Sequence, residues 1–242
     1  MKTVFVLLSL FVYASNKTIA SDLHLRRQSS GNLISILANG ISDDIYKNNA
    51  HLICTDARET KQAEEMMKEA YDDIVKILWD PNGAQQFDGN FINGKFVRIY
   101  SPNLVMVQLR SRSLVGLAQE YLYALAHKVK VSENETIIVH ASANINDHND
   151  TYEYGYRNAI LESANSFQTE IESEEDIRNG EIVKTYINLF GCIIKKEDDC
   201  VNLTCVNSID VESPNMEDLI LKVVKATKMA ALTNLKNIVE NS

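Results

Sequence analysis

Glycine and proline are scarce, nine and three in 242 residues, where an average chain would carry about 12% of the two together. That scarcity excludes collagen-like repeats and disfavours a sandwich or barrel of many short strands joined by tight turns. No apolar run approaches the roughly eighteen residues of a membrane-spanning helix. Basic residues are outnumbered, 24 against 33 acidic ones, for a net charge of −9. No Lys/Arg stripe offsets this locally, so neither nucleic acid nor an anionic membrane surface is an expected partner. Signatures of chemistry are missing too. His24, His51, His127, His140 and His148 show no paired metal-ligand spacing, and neither a Gly-x-Ser-x-Gly turn nor a papain-type cysteine motif occurs. The sequence therefore points to no catalytic residue, no metal and no cofactor, and to a protein that is not an enzyme.

What is present begins with Met1-Lys2 and an apolar run from Val4 to Val12, followed by small residues. This is the layout of a secretory signal peptide, with small-residue cleavage sites after Ala14 or, preferred, after Ala20. Residues 1–20 are read as the leader, 21–30 as a flexible terminus or short propeptide containing the dibasic Arg26-Arg27, and 31–242 as one domain. Cleavage removes Lys2 and Lys17 and no acid, leaving the processed chain more acidic still.

Export sets the reading of the four cysteines, because the extracellular compartment oxidises thiols. Two disulfides are expected among Cys54, Cys192, Cys200 and Cys205, with Cys54–Cys192 and Cys200–Cys205 the preferred pairing of three. A cysteine kept for a partner chain is the alternative. The spacings lack the paired two-residue separation of a zinc site. Glycosylation sequons stand at Asn16 inside the leader and at Asn134, Asn149 and Asn202. Chance produces about three in such a composition, so they identify glycan sites only if the chain is exported.

Hydrophobic periodicity predicts helices throughout. The strongest run from Asp56 to Leu78, with Ala63, Met67, Ala70, Ile74 and Ile77 on one face and a stop at Pro81-Asn82-Gly83, and from Ser213 to the C-terminus along Leu219, Val223, Ala230 and Ile238. Others are expected over Asn32–Ala38, Ser42–Cys54, Ser113–Lys130, Asp150–Phe167 and Glu181–Ile194. A further one is expected over Glu135–Ile145, despite its β-branched Thr136-Ile137-Ile138-Val139. One small β-hairpin is expected near residues 90–98, turning at Asn93-Gly94. The predicted fold is mainly α: a single disulfide-stapled, bundle-like domain.

Two motifs resemble ligand sites and break down. Gly89–Lys95 has phosphate-loop spacing, but Phe96 stands where a hydroxyl should hold magnesium. Asn144, Asn146, Asp147, His148, Asn149, Asp150 and Glu153 gather oxygen donors without the glycine or terminal carboxylate of a calcium loop. Of the tyrosines 121, 123, 152, 154 and 156, the last three cannot share one helical face, which makes Tyr152 or Tyr154 an interface candidate. The expected function is that of a secreted, non-catalytic helical glycoprotein binding an apolar small molecule or an extracellular protein partner. The alternatives are a structural subunit of a secreted material such as silk, saliva or venom, linked through a cysteine, and a secreted hydrolase using Asp147, His148 and His140.

Overall fold

The computed structural model describes residues 5–14, 17–21, 57–113, 118–149, 156–197, 200–209 and 217–241. The helices expected over Asn32–Ala38 and Ser42–Cys54 lie outside these residues, as do Cys54, His24, His51, Arg26-Arg27, Tyr152 and Tyr154.

The two strongest helical expectations hold. Helix α1 spans Ala57–Trp79 and α3 spans Glu217–Asn241. On α1 the pairs Lys61–Glu65 and Lys68–Asp72 line the exposed side, while Ala70, Tyr71 and Ile74 are buried. The chain then reverses. Asp80 Oδ1 accepts from the Asn82 amide at 2.8 Å, and at Gly83 a Cβ would come within 1.8 Å of the Ile77 carbonyl oxygen. A short 3-10 turn, Gly83–Gln86, follows. Leu221, Val224, Leu232, Leu235 and Val239 give α3 its buried stripe.

The described residues outside these two helices are built mainly from strands, which overturns the helical-bundle expectation. Strands β1 (Phe5–Ala14), β2 (Lys17–Ser21), β3 (Phe91–Ser101), β4 (Leu104–Arg112), β5 (Gln119–Ser132) and β6 (Glu135–Ala141) join β10 (Ile187–Lys196) and β11 (Cys200–Ile209) in one sheet. Their order is β2-β1-β11-β10-β6-β5-β4-β3, with the short β9 (Val183–Lys184) alongside β5. All neighbours are antiparallel except β1 with β11 and β9 with β5. Strands β7 (Asn144–Asn146) and β8 (Gln168–Glu170) form a separate pair, and α2 covers Glu175–Arg178.

The segments 113–130, 135–145 and 181–194 misled because apolar side chains occupy odd and even positions of their strands alike: the first half of β5 is covered on both faces, while Val129, Val131 and, on β10, Ile193 remain exposed. On β5, Tyr121 and Tyr123 face one cluster, whereas Ala124 and Ala126 face another. Of the segment 150–167, residues 156–161 are irregular and 162–166 form a 3-10 turn. The expected hairpin is misplaced as well. Residues 91–101 are one strand, and the chain turns between Ser101 and Leu104. Gly94 serves close approach, not a turn: a Cβ there would meet the Pro81 carbonyl oxygen at 2.2 Å, and its amide donates to Asn82 Oδ1 at 2.9 Å.

The apolar run read as a leader forms β1, in parallel register with β11 from Phe5↔Cys200 to Ala14↔Ile209. Were it removed, β11 would lose that neighbour and become an open edge.

Both helices pack on one face of the sheet, and register orders that face into rows. Thr136, Ile194 and Leu203 are aligned across β6, β10 and β11. Two residues along the strands come Ile138, Cys192 and Cys205, and next His140, Phe190 and Asn207. The first row sits under α1, where the Tyr71 and Thr136 hydroxyls are 2.7 Å apart. In the second, Cys192 and Cys205 are directly opposed and form a disulfide. This replaces the preferred pairing of Cys54 with Cys192 and of Cys200 with Cys205. Its reason is the antiparallel register, which brings two directly opposed residues within disulfide range. Cys200 is buried, its Sγ 3.7 Å from Glu197 Oε2.

Candidate binding cavity

Beyond the third row the packing opens. A cavity of about 640 Å³ lies between the sheet and the helices, within the roughly 300–1,000 Å³ of small-molecule sites. Its walls are mostly apolar. Ile77, Leu78 and Trp79 come from the end of α1, Val107, Leu109, Leu122 and Ala126 from β4 and β5, and Ile220, Val224, Ala231 and Leu232 from α3. The helix supplies these four because they recur at three- and four-residue spacing on one face. Trp79 leans on Phe96, ring centroids 6.0 Å apart, with Lys128 Nζ 4.7 Å over its ring.

α3 is tied down over the cavity from the far side. Lys228 Nζ reaches the buried Asp88 carboxylate at 3.0 Å, and Asn234 donates to the Phe87 carbonyl at 3.1 Å. Asp88 also accepts from the Asn90 amide.

Polar groups on the wall are few. His140 stands beside Phe190, centroids 5.7 Å apart, and burial holds its imidazole pKa down at about 4, so it is neutral at physiological pH. Asn207, only 4% exposed, flanks Phe190 on the other side. The exposed Arg112 donates to the Gly89 carbonyl.

The opposite face of the sheet carries a different arrangement. Residues 143–149 and 156–184 cover it, with Ile145, Ile171, Ile177 and Ile182 buried against Met106, Tyr121 and Tyr123. Lys184 Nζ meets Asp147 Oδ1 at 2.8 Å with both side chains below 10% exposure. Tyr121 donates to Asp147 Oδ2 and receives a bond from Asn149 Nδ2, each 2.9 Å. Burial first, and the Asp147 charge in addition, push the Tyr121 phenol pKa upward, against the lowering bond from Asn149. Nearer the edge, Arg110 clasps Asp176 at 2.5 and 3.0 Å, and Glu174 receives Lys95 and Gln108. Burial alone would raise the Glu174 pKa, but the bonds from Lys95 and Gln108 together outweigh it and hold the carboxyl at about 2. These contacts fasten the covering segment to the sheet.

The structure thus disperses the residues of the hydrolase alternative. Asp147 is locked to Lys184 on one face, His140 borders the cavity on the other, and His148, with a φ of 59°, points to Glu170 at 2.9 Å. Of the oxygen donors singled out at 144–153, Asp147 and Asn149 are committed to Tyr121 and Lys184; Asp150 and Glu153 lie outside the described residues. Lys95 of the phosphate-loop motif is taken by Glu174. Among the tyrosines, 121 and 123 meet edge to face and Tyr156 stacks on Tyr186 at 4.2 Å. Of the sequons, Asn134 is exposed at the β5–β6 turn, Asn202 is half-buried on β11, and Asn149 is buried. The cavity residues escaped sequence reading because they come from elements between Ile77 and Leu232; periodicity marked them only as apolar faces.

A mostly antiparallel sheet and two long helices packed on one of its faces thus enclose an apolar cavity. No protein-family model and no curated protein matches the chain. Among solved structures, it is similar to human STARD10 (16% identity, TM-score 0.41, covering 68% of this chain and 58% of that one). It is also similar to the lipid transfer and protein localization domain of human StarD13 (14%, 0.43, covering 64% of each) and to human StAR-related lipid transfer protein 5 (9%, 0.46, covering 69% and 70%). This chain therefore spans less than two thirds of the first two.

Proposed function

We propose that this chain binds and carries an apolar small molecule between its sheet and its two long helices, without transforming it. The observation that supports this is the cavity itself: about 640 Å³ of space walled by aliphatic and aromatic side chains, where a packed core would otherwise continue. Burying a ligand's apolar surface there is favourable by about 25 cal/mol per Å² before the costs of association. The leading apolar run supports export of this carrier, with a glycan on the exposed Asn134 sequon.

The test uses the chain's single tryptophan. Trp79 lines the cavity, so titration with apolar ligands should change its fluorescence, and native mass spectrometry of protein from its source should show a co-purifying apolar molecule. Ala231 is buried on the helix wall of the cavity. Ala231→Phe, which keeps Trp79 the single tryptophan, should narrow the space and weaken both signals while the protein remains folded. Absence of any bound molecule together with a silent Trp79 would overturn the carrier reading.

A further inference from the structure

The inner wall of the cavity is where its polarity is placed. His140, Phe190 and Asn207 form one row across β6, β10 and β11, immediately past the row that holds the Cys192–Cys205 disulfide. The disulfide row does not border the cavity, and the His140 row does. The wall is therefore the end of the cavity that abuts the packed core.

Two polar side chains on that wall need an explanation. Asn207 is 4% exposed, and a buried amide without partners costs stability. Within the described residues no side-chain hydrogen bond reaches Asn207 or His140, and neither contains an atom that is both enclosed and unsatisfied. Their polar atoms therefore open into the cavity. With strands about 4.8 Å apart, the two groups stand roughly 10 Å from each other on either side of the Phe190 ring.

The charged side chains that border the cavity, Asp80, Asp88, Arg112, Glu120 and Lys228, all lie outside the His140–Phe190–Asn207 row. Lys228 and Asp88 neutralise one another, Asp80 and Arg112 are exposed, and Glu120 is half-buried. A ligand with an ionised end brought against His140, Phe190 and Asn207 would meet no counter-charge there and would lose its hydration. An uncharged donor or acceptor would find an amide with both functions and an imidazole with one of each.

Resting on the carrier reading, we infer that the cargo is a long-chain lipid with an uncharged polar end, hydroxyl or ester, and that this end is bound at the inner wall by His140 and Asn207 with the hydrocarbon lying toward α1 and α3. The neutral state of the His140 imidazole agrees with such a partner. A hydrocarbon of equal length fills the same space but leaves both groups unanswered, and that omission weakens binding.

The experiment competes three ligands with eighteen-carbon chains against Nile red bound to the full chain: monoolein, oleate and 1-octadecene. Monoolein should displace the dye at about tenfold lower concentration than either of the others, as expected of one or two neutral hydrogen bonds. In His140→Phe/Asn207→Leu that preference should shrink to about twofold while 1-octadecene binds as before, which also shows that the variant is folded. Asn207→Leu alone should fall between the two and serves if the double variant does not fold. Equal affinity for monoolein and 1-octadecene, a preference for oleate, or a preference that survives in the variants overturns this inference and leaves the carrier reading standing. Failure of Nile red and of all three ligands to bind overturns both.

Discussion

Lys184 and Asp147 offer the sharpest test of how the covering segment is held. Their side chains are 7% and 2% exposed, and the ammonium lies 2.8 Å from the carboxylate. Lys184 also reaches the Ile145 carbonyl at 3.2 Å, while Asp147 accepts the Tyr121 hydroxyl. Lys184→Met removes the cation and leaves a carboxylate that water cannot reach, a change that costs about 3–5 kcal/mol for a buried pair. In Lys184→Met/Asp147→Asn no charge is stranded and the side-chain amide introduced in place of the carboxylate can still accept from Tyr121, so more than half of the loss should return. The assay is urea unfolding followed by Trp79 fluorescence and far-UV circular dichroism together, since coincident transitions justify the free energies. A loss below about 1 kcal/mol in the single variant, or no recovery in the double, would refute the claim that this pair is desolvated and mutually dependent.

Other outcomes follow from the same contacts. The His140 pKa is depressed from 6.5 to about 4, so the unfolded chain binds the extra proton first and stability should fall as pH drops from about 6.5 to about 4, by on the order of 3 kcal/mol. His140→Phe should flatten that limb of a stability–pH curve. Glu174, held at about 2, contributes stability above its unfolded pKa near 4.5 that is lost as pH falls toward 2; Glu174→Gln should remove that lower limb. Gly94→Ala must displace the Pro81 carbonyl and should destabilise by about 1–3 kcal/mol in thermal or urea melts. In a secretory host, Asn134→Gln should remove one glycan mass and Asn149→Gln none, because the Asn149 nitrogen that would carry the sugar donates to Tyr121; a glycan found on Asn149 would contradict the packing described for that side chain. Amino-terminal sequencing of the same material separates two fates for residues 5–14, removal at Ala20 or retention beside β11.

The two long helices were legible in the amino-acid order because their information is local. Lys61–Glu65 and Lys68–Asp72 are one turn apart, the apolar positions repeat every three or four residues, and Pro81-Asn82-Gly83 ends α1 with contacts only a few residues long. The strands were not legible, because nothing within β5 announces that Tyr121 and Ala124 will both be covered, on opposite faces, by segments distant in the chain. Few glycines and prolines suggested few turns, yet long strands of ten to fourteen residues need few turns per residue, so that scarcity never bore on sheet content. The disulfide shows the same division: four cysteines were visible, but Cys192 meets Cys205 because β10 and β11 pair in one register, which depends on burial of their shared face. The cavity depends most on assembly. His140, Phe190 and Asn207 lie 17 to 67 positions apart in the chain and become one wall only when three strands align, since a binding site is a property of surfaces brought together, while a helix is a property of neighbours.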